Sequence, residues 1–185
     1  SLFIFRIDTD FCSLDNAKKV YALCRNYNIS GSWFLDTDNN DMLKNFYAKM
    51  KNQELGLHCD IHKVYKEKSL NQKNINSGLK KLSNNNIFVK GFASPFGEWN
   101  PGLALSLNNF EYSSEFGFDY DNFPFFPYIN DKVSSILQIP IHPIGISRLN
   151  RSHYSEVEMF KYYLNLFNEK IINDEPIILY FHPDN

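Results

Sequence analysis

Two carboxylates and three imidazoles in this 185-residue chain stand at spacings that suit metal binding and proton transfer. Asp8-Thr9-Asp10 closes the segment FIFRIDTD, and the two-residue period of a strand sends Arg6, Asp8 and Asp10 to one face, with Phe3, Phe5 and Ile7 on the other. Carboxylates crowded on one side repel when both ionise, so a metal, a basic partner or a raised pKa has to hold them. The plainer alternative is a turn in which one Asp caps the helix starting near Ser13. His58 and His62, in LGLHCDIH, share a face if the chain turns helical after a strand. Imidazoles with a carboxylate are ligands of zinc-like ions, and three protein ligands leave positions open for water and substrate. Cys59 occupies the place of the glutamate in the H-E-x-x-H zinc proteases, so the motif is not theirs. A chance pair of surface histidines is the alternative. His182 follows the last apolar segment in ILYFHP, and Gly91 to Gly97 ends in a Pro-Phe-Gly turn able to offer backbone N–H groups to an anion.

The elements that must position these residues alternate. Strands are predicted over Leu2 to Asp8, Ser30 to Asp36, Glu54 to His58, Ile87 to Ala93, Ser135 to Ile141 and Pro176 to Phe181. Helices are predicted over Ser13 to Asn28, Asp41 to Lys51, Asn71 to Leu82, Pro101 to Leu107 and Glu156 to Ile172, the last with Val157, Phe160, Leu164 and Phe167 on one stripe. Alternation of this kind implies a parallel sheet, whose active sites gather at the carboxyl ends of its strands. Asn39 to Asn40 and Asn84 to Asn86 read as turns. Residues 116–128, FGFDYDNFPFFPY, read as an ordered loop whose aromatics Phe116, Phe118, Tyr120 and Phe125, with Trp99, either fill the core or form an apolar stacking platform for a ligand ring. His142, between two prolines, fits a rigid turn as well as a site.

Composition sets the outer bounds. A chain of this length folds as one domain, residues 1–185, and buries roughly 70% of its unfolded surface. A net charge of −2 leaves no basic field for a phosphate backbone, so no nucleic-acid partner is expected. No apolar run approaches the roughly 18 residues of a membrane helix. Cys12, Cys24 and Cys59 match no disulfide or zinc-knuckle spacing, which favours a reducing compartment such as the cytoplasm. The chain opens on Ser1 and runs straight into an apolar segment without a signal-peptide pattern, and is read as a domain excised from a longer chain.

Taken in order, the four segments resemble the polysaccharide deacetylases of the NodB-homology type, the carbohydrate esterase family 4-like group. Asp8 and Asp10 are similar to its D-x-D first motif, and His58 to His62 to its H-(S/T)-x-x-H motif, with Cys59 in the Ser/Thr place. Ala93-Ser94-Pro95-Phe96-Gly97 resembles R-x-P-(Y/F)-G, and Leu179 to His182 resembles L-x-x-H. Asn28 to Thr37 is similar to the family's second strand, and the likeness runs from about residue 3 to residue 182. It implies a distorted parallel (β/α) barrel of seven strands. It implies Asp10, His58 and His62 as metal ligands, Asp8 as general base and His182 as general acid. Pro95, Phe96, Trp99 and Asp121 are the expected substrate contacts.

The family's third-motif Arg, which pairs with the base, is replaced here by Ala93, and Arg6 is the expected substitute, with Arg148 second. The Asp that orients the acid histidine is only loosely matched by Asp119 or Asp121. The resemblance implies a hydrolase that removes an N-acetyl or N-formyl group from an amino sugar in a glycan or glycolipid. It would use one divalent ion, zinc first, with cobalt, nickel or manganese compatible. A catalytically degenerate carbohydrate-binding domain, and a barrel hydrolase acting on a small amide or phosphoester, are the competing readings.

Overall fold

A computed structural model describes residues 2–38, 41–117 and 123–184, side chains 41–43 excepted. In its first half, strands and helices alternate as the periodicity predicts: β1 (Phe3–Asp8), α1 (Leu14–Asn26), β2 (Ser32–Asp36), α2 (Asp41–Tyr47), β3 (Glu54–Cys59), α3 (Lys68–Ser83) and β4 (Gly91–Ala93). Shorter pieces follow. A 3-10 turn (Pro95–Gly97) leads to α4 (Pro101–Ala104), β5 (Tyr112–Ser114), and the antiparallel pair β6 (Tyr128–Ile129) and β7 (Lys132–Val133). The chain ends with β8 (Leu137–Gln138), α5 (Ile146–Arg151), α6 (Glu156–Ile172) and β9 (Ile177–Phe181).

Seven strands form one parallel sheet in the order β8-β5-β4-β3-β2-β1-β9. The sheet curls until the chain beyond β8 meets β9, where the His142 N–H donates to the Ile178 carbonyl at 2.8 Å. This curled sheet is the distorted seven-stranded (β/α) barrel that the family resemblance implies.

Strand alternation explains both faces of the sheet. Outward residues Ile7, Trp33, Leu35, Leu57 and Phe92 are buried with Ala17 and Val20 of α1 and Ile75 and Leu82 of α3 in one apolar core. Burial of side chains of this size stabilises the fold by roughly 1.5–3 kcal/mol each. Inward residues fill a narrow barrel in which Arg6 lies over the Phe34 and Tyr180 rings, and Phe34 meets Tyr112 edge-on. Glycine makes room for them. A Cβ on Gly56 would stand 2.5 Å from the Phe34 ring, and one on Gly91 2.2 Å from the Tyr112 ring.

Several boundaries differ from the periodicity. The strands predicted over Ile87 to Ala93 and Ser135 to Ile141 shrink to Gly91–Ala93 and Leu137–Gln138, and the helix at Pro101 ends at Ala104. β5 escapes the sequence pattern because Tyr112-Ser113-Ser114 carries no apolar alternation, although both serines are buried. On α6 the expected apolar stripe is misassigned. Leu166 and Phe167 pack on Ile177 and Leu179 of β9, while Val157, Phe160 and Leu164 face outward. The inward side of this helix is instead completed by the aromatic bodies of Tyr162 and Tyr163.

Candidate active site

The carboxyl ends of β1, β3, β4 and β9 converge on one cavity of about 720 Å³, a size that accommodates a small organic ligand. Asp8 ends β1, and Asp10 follows in a turn held by Thr9, whose N–H donates to the Phe34 carbonyl at 3.0 Å. His58 lies within β3. His62 reaches the same point by a bend, not by the helical turn that the H-x-x-x-H spacing predicts. Asn74 of α3 holds that bend, its side-chain oxygen accepting from the Ile61 N–H at 2.8 Å and its amide donating to the Ile61 and Lys63 carbonyls at 2.8 and 3.2 Å. Asp60, inside the same motif, turns away to accept from Thr37 and Lys81. His182 follows β9 directly.

The ligand atoms of Asp10, His58 and His62 lie within 4.8 Å of one another. The Nε2 atoms of His58 and His62 stand 3.5 Å from the two oxygens of Asp10. That is too long for a strong hydrogen bond, and close to the roughly 3.3–3.5 Å edge of a tetrahedron with 2.0–2.1 Å bonds. His58 Nδ1 lies 2.8 Å from the Ala93 carbonyl, which can only accept, so Nδ1 carries the proton and Nε2 presents its lone pair. His58 Nε2 and Asp10 Oδ1 are buried with no hydrogen-bond partner among the described residues. Orphaned acceptors of this kind cost about 1–3 kcal/mol each unless a cation takes them up. The donor set therefore fits one divalent ion.

The electrostatics agree. Burial pushes His58 below its ordinary value and keeps it neutral. Burial would raise Asp10, but His182, within ion-pair reach of Oδ1, and the imidazoles of His58 and His62 hold it below the usual carboxylate range. Burial would lower His182, whose Nε2 lies 3.3 Å from Asp10, yet its interaction with that carboxylate holds it above the usual imidazole value.

Asp8 is held separately. Arg6 Nε and Nη2 each donate to one of its oxygens at 2.6 Å, and Nη1 donates to the Ser114 carbonyl at 2.5 Å. Arg6 thus pairs with the carboxylate that the replacement by Ala93 left without its arginine. Arg148 is exposed on the cavity wall instead. Glu115 is wholly buried beside Ser113, whose hydroxyl donates to it at 2.9 Å, and burial pushes its carboxyl up to about 8.

Of the expected substrate contacts, Phe96 lines the cavity, exposed, in a left-handed conformation (φ 60°) with its ring 4.6 Å edge-on from that of His62. Pro95 is buried, and neither it nor Trp99 is on the cavity wall. Phe118, Asp119, Tyr120 and Asp121 lie outside the described residues. Phe116 lines the cavity, Phe125 pairs with Gln138, and the His142 ring bonds the Tyr162 hydroxyl at 2.7 Å, away from the cavity. Sequence reasoning missed Phe11, Tyr180, Arg151 and Asp184, all on the cavity wall. Phe11, like Phe96, has a positive φ (58°) and flanks His62, at 5.7 Å between ring centroids. Its one sequence signal is a bulky apolar residue directly after an acidic turn.

No protein-family model and no curated protein matches the sequence. Solved structures do match, in fold. A protein assigned as a polysaccharide deacetylase from Mycobacterium smegmatis superposes with a TM-score of 0.76 at 13% identity, over 98% of this chain and 76% of that one. One assigned as a polysaccharide deacetylase of O-antigen biosynthesis, from Bordetella bronchiseptica, gives 0.66 at 13% identity over 98% and 71%. A CE4 family pseudoenzyme from Bacillus anthracis gives 0.58 at 17% identity over 98% and 54%. The barrel is thus the one that polysaccharide deacetylases use.

Proposed function

We propose that the protein is a metal-dependent hydrolase that removes an N-acetyl or N-formyl group from an amino sugar of a glycan or glycolipid. The observation that carries this reading is the pairing of a convergent Asp-His-His donor set with a separately clamped second carboxylate, at the carboxyl ends of a deacetylase-type barrel. Asp10, His58 and His62 would hold the ion, which when bound makes water a nucleophile near neutral pH and polarises the acyl oxygen.

The remaining chemistry belongs to the chain. Asp8, oriented by the Arg6 fork, retains lone pairs to accept the proton of the attacking water. A backbone N–H of the Phe96 turn shares the charge that develops on the acyl oxygen. His182, placed on the cavity wall directly after β9, would donate a proton to the departing amine. Acid and base roles are each worth about 10²–10⁴-fold.

Pseudoenzymes share this fold, so a degenerate binding domain is the competing reading. The Arg6–Asp8 pair favours activity, because the chain restores a cation to the base despite Ala93. The test is incubation of the zinc-loaded protein with N-acetylated and N-formylated amino-sugar oligomers. Free amine with stoichiometric acetate or formate is expected. Bound metal with no amine from any of them would overturn the reading.

A further inference from the structure

The wall of this cavity carries a charge pattern that the proposed chemistry does not use. Fifteen of the nineteen basic residues in the chain are lysine and only four are arginine: Arg6, Arg25, Arg148 and Arg151. Three of those four line this one cavity, and none of its lining residues is a lysine. A chain this rich in lysine would by chance line a cavity with lysine. What distinguishes arginine is its rigid planar fork, which meets a carboxylate or phosphate with two parallel hydrogen bonds, whereas lysine offers a point charge.

Arg6 is committed to Asp8. Arg148 and Arg151 are not committed: both are exposed, and neither makes an ion pair among the described residues. They lie three residues apart on α5, hence on one helix face, and Ser147 and Ser152 line the cavity from the same face. The helix is fixed in that orientation from two sides. Leu149 is buried, and Gly145 lets the helix start lie directly on Tyr180, whose ring a Cβ there would approach to 3.0 Å. The cavity acids do not compensate the pair. Asp8 is matched by Arg6, Asp10 sits among three histidines, and Asp184 accepts from the Asn16 side chain and the Ser13 N–H.

We infer that the substrate of this site carries an oxyanion, a carboxylate or phosphate on the glycan, which Arg148 and Arg151 receive while the N-acyl group faces the histidines. The inference rests on the hydrolase reading for the acyl end only; the anion subsite stands on the arginines.

The experiment measures binding by titration calorimetry of the zinc-loaded protein with three matched N-acetylated trisaccharides: one neutral, one with a single uronate, one with a single phosphomonoester. Free amine is assayed in parallel. An anionic ligand is expected to bind about 10- to 100-fold more tightly than the neutral one. In Arg148→Ala/Arg151→Ala that ratio falls towards one, and in Arg148→Lys/Arg151→Lys it falls part of the way. The uronate and phosphate arms identify which oxyanion is preferred. Equal binding of all three ligands, or a double variant that keeps the anionic advantage, would overturn the inference. Arginine-dependent anion binding without release of amine would leave the subsite standing and remove the hydrolase reading. Amine release at one common affinity for all three would do the reverse.

Discussion

Arg6 and Asp8, successive inward residues of one strand, are joined by two hydrogen bonds of 2.6 Å, so the cation that holds this carboxylate comes from its own strand. The same guanidinium reaches the carbonyl of Ser114, which pairs with Ala93 across β4 and β5. A large side chain at 93 would contend for that space. Arg6→Lys keeps a charge but loses the fork, and turnover is expected to fall about 100-fold with metal content retained. Arg6→Ala should cost about 3–5 kcal/mol of stability, since it strands a buried carboxylate. Adding Ala93→Arg should recover part of both losses. Full turnover in Arg6→Lys would show that the fork is dispensable.

The metal and the base are separable by substitution. His58→Ala is expected to lose bound zinc and activity together, whereas Asp8→Asn should bind zinc and lose about 10²–10⁴-fold in kcat. Elemental analysis after gel filtration, beside the amine assay, reads both quantities. Zinc retained at full stoichiometry in His58→Ala would remove that residue from the ligand set.

Asn74 touches no reacting group, yet it anchors the bend that carries His62. Asn74→Ala should weaken zinc affinity about 10- to 100-fold, as loss of ligand support does. Saturating zinc should then restore kcat. An unchanged zinc affinity in a competition titration would mean that the bend holds without it.

Glu115 sets a pH dependence of stability. Its carboxyl titrates at an ordinary 4.5 when unfolded and at about 8 when folded, the cause being burial. Between those values the folded state binds the extra proton, so its stabilising contribution, fully present below pH 4.5, is lost as pH rises to about 8 and is flat above. Glu115→Gln cannot ionise. Its stability relative to the parent should therefore grow by up to several kcal/mol across that window, as read by urea unfolding at pH 5 and pH 8.5. A constant difference would place the Glu115 titration outside the window.

Phe96 holds a left-handed backbone that its bulk disfavours, while most of its surface faces solvent. Such strain costs about 1–3 kcal/mol and is tolerated where function uses it. Phe96→Gly should raise the melting temperature and lower kcat/KM, by removing the ring that packs on His62. A variant that is both less stable and fully active would contradict this trade.

The parallel β-α alternation is legible in the first half of the sequence because β1, β2 and β3 are long enough for their patterns to register, whereas closure into a barrel follows only from the family resemblance. β5 is not legible, since its three residues owe their burial to the sheet around them and not to their own polarity. Asp8, Asp10, His58, His62 and His182 stand out in the sequence as acids and histidines in or near predicted strand ends, each with an ordinary structural alternative, and it is their order and spacing together that resemble the deacetylase motifs. The bend at His62 does not stand out, because Asn74, which holds it, is one of many asparagines on a polar helix surface. In the sequence Arg148 stands out only as a second candidate partner for Asp8, and nothing marks Arg151. Both depend on how α5 lies against Tyr180, a tertiary fact set by Gly145.

The bond from Arg6 to Ser114 spans 108 residues of sequence. Asp10, His58 and His62, the three residues proposed to hold the ion, all precede residue 63, so during synthesis they emerge long before the strand that anchors the arginine. A nascent chain halted before Tyr112 would have every proposed ligand yet no anchored guanidinium, and on that reading competence would arrive only with the later strands.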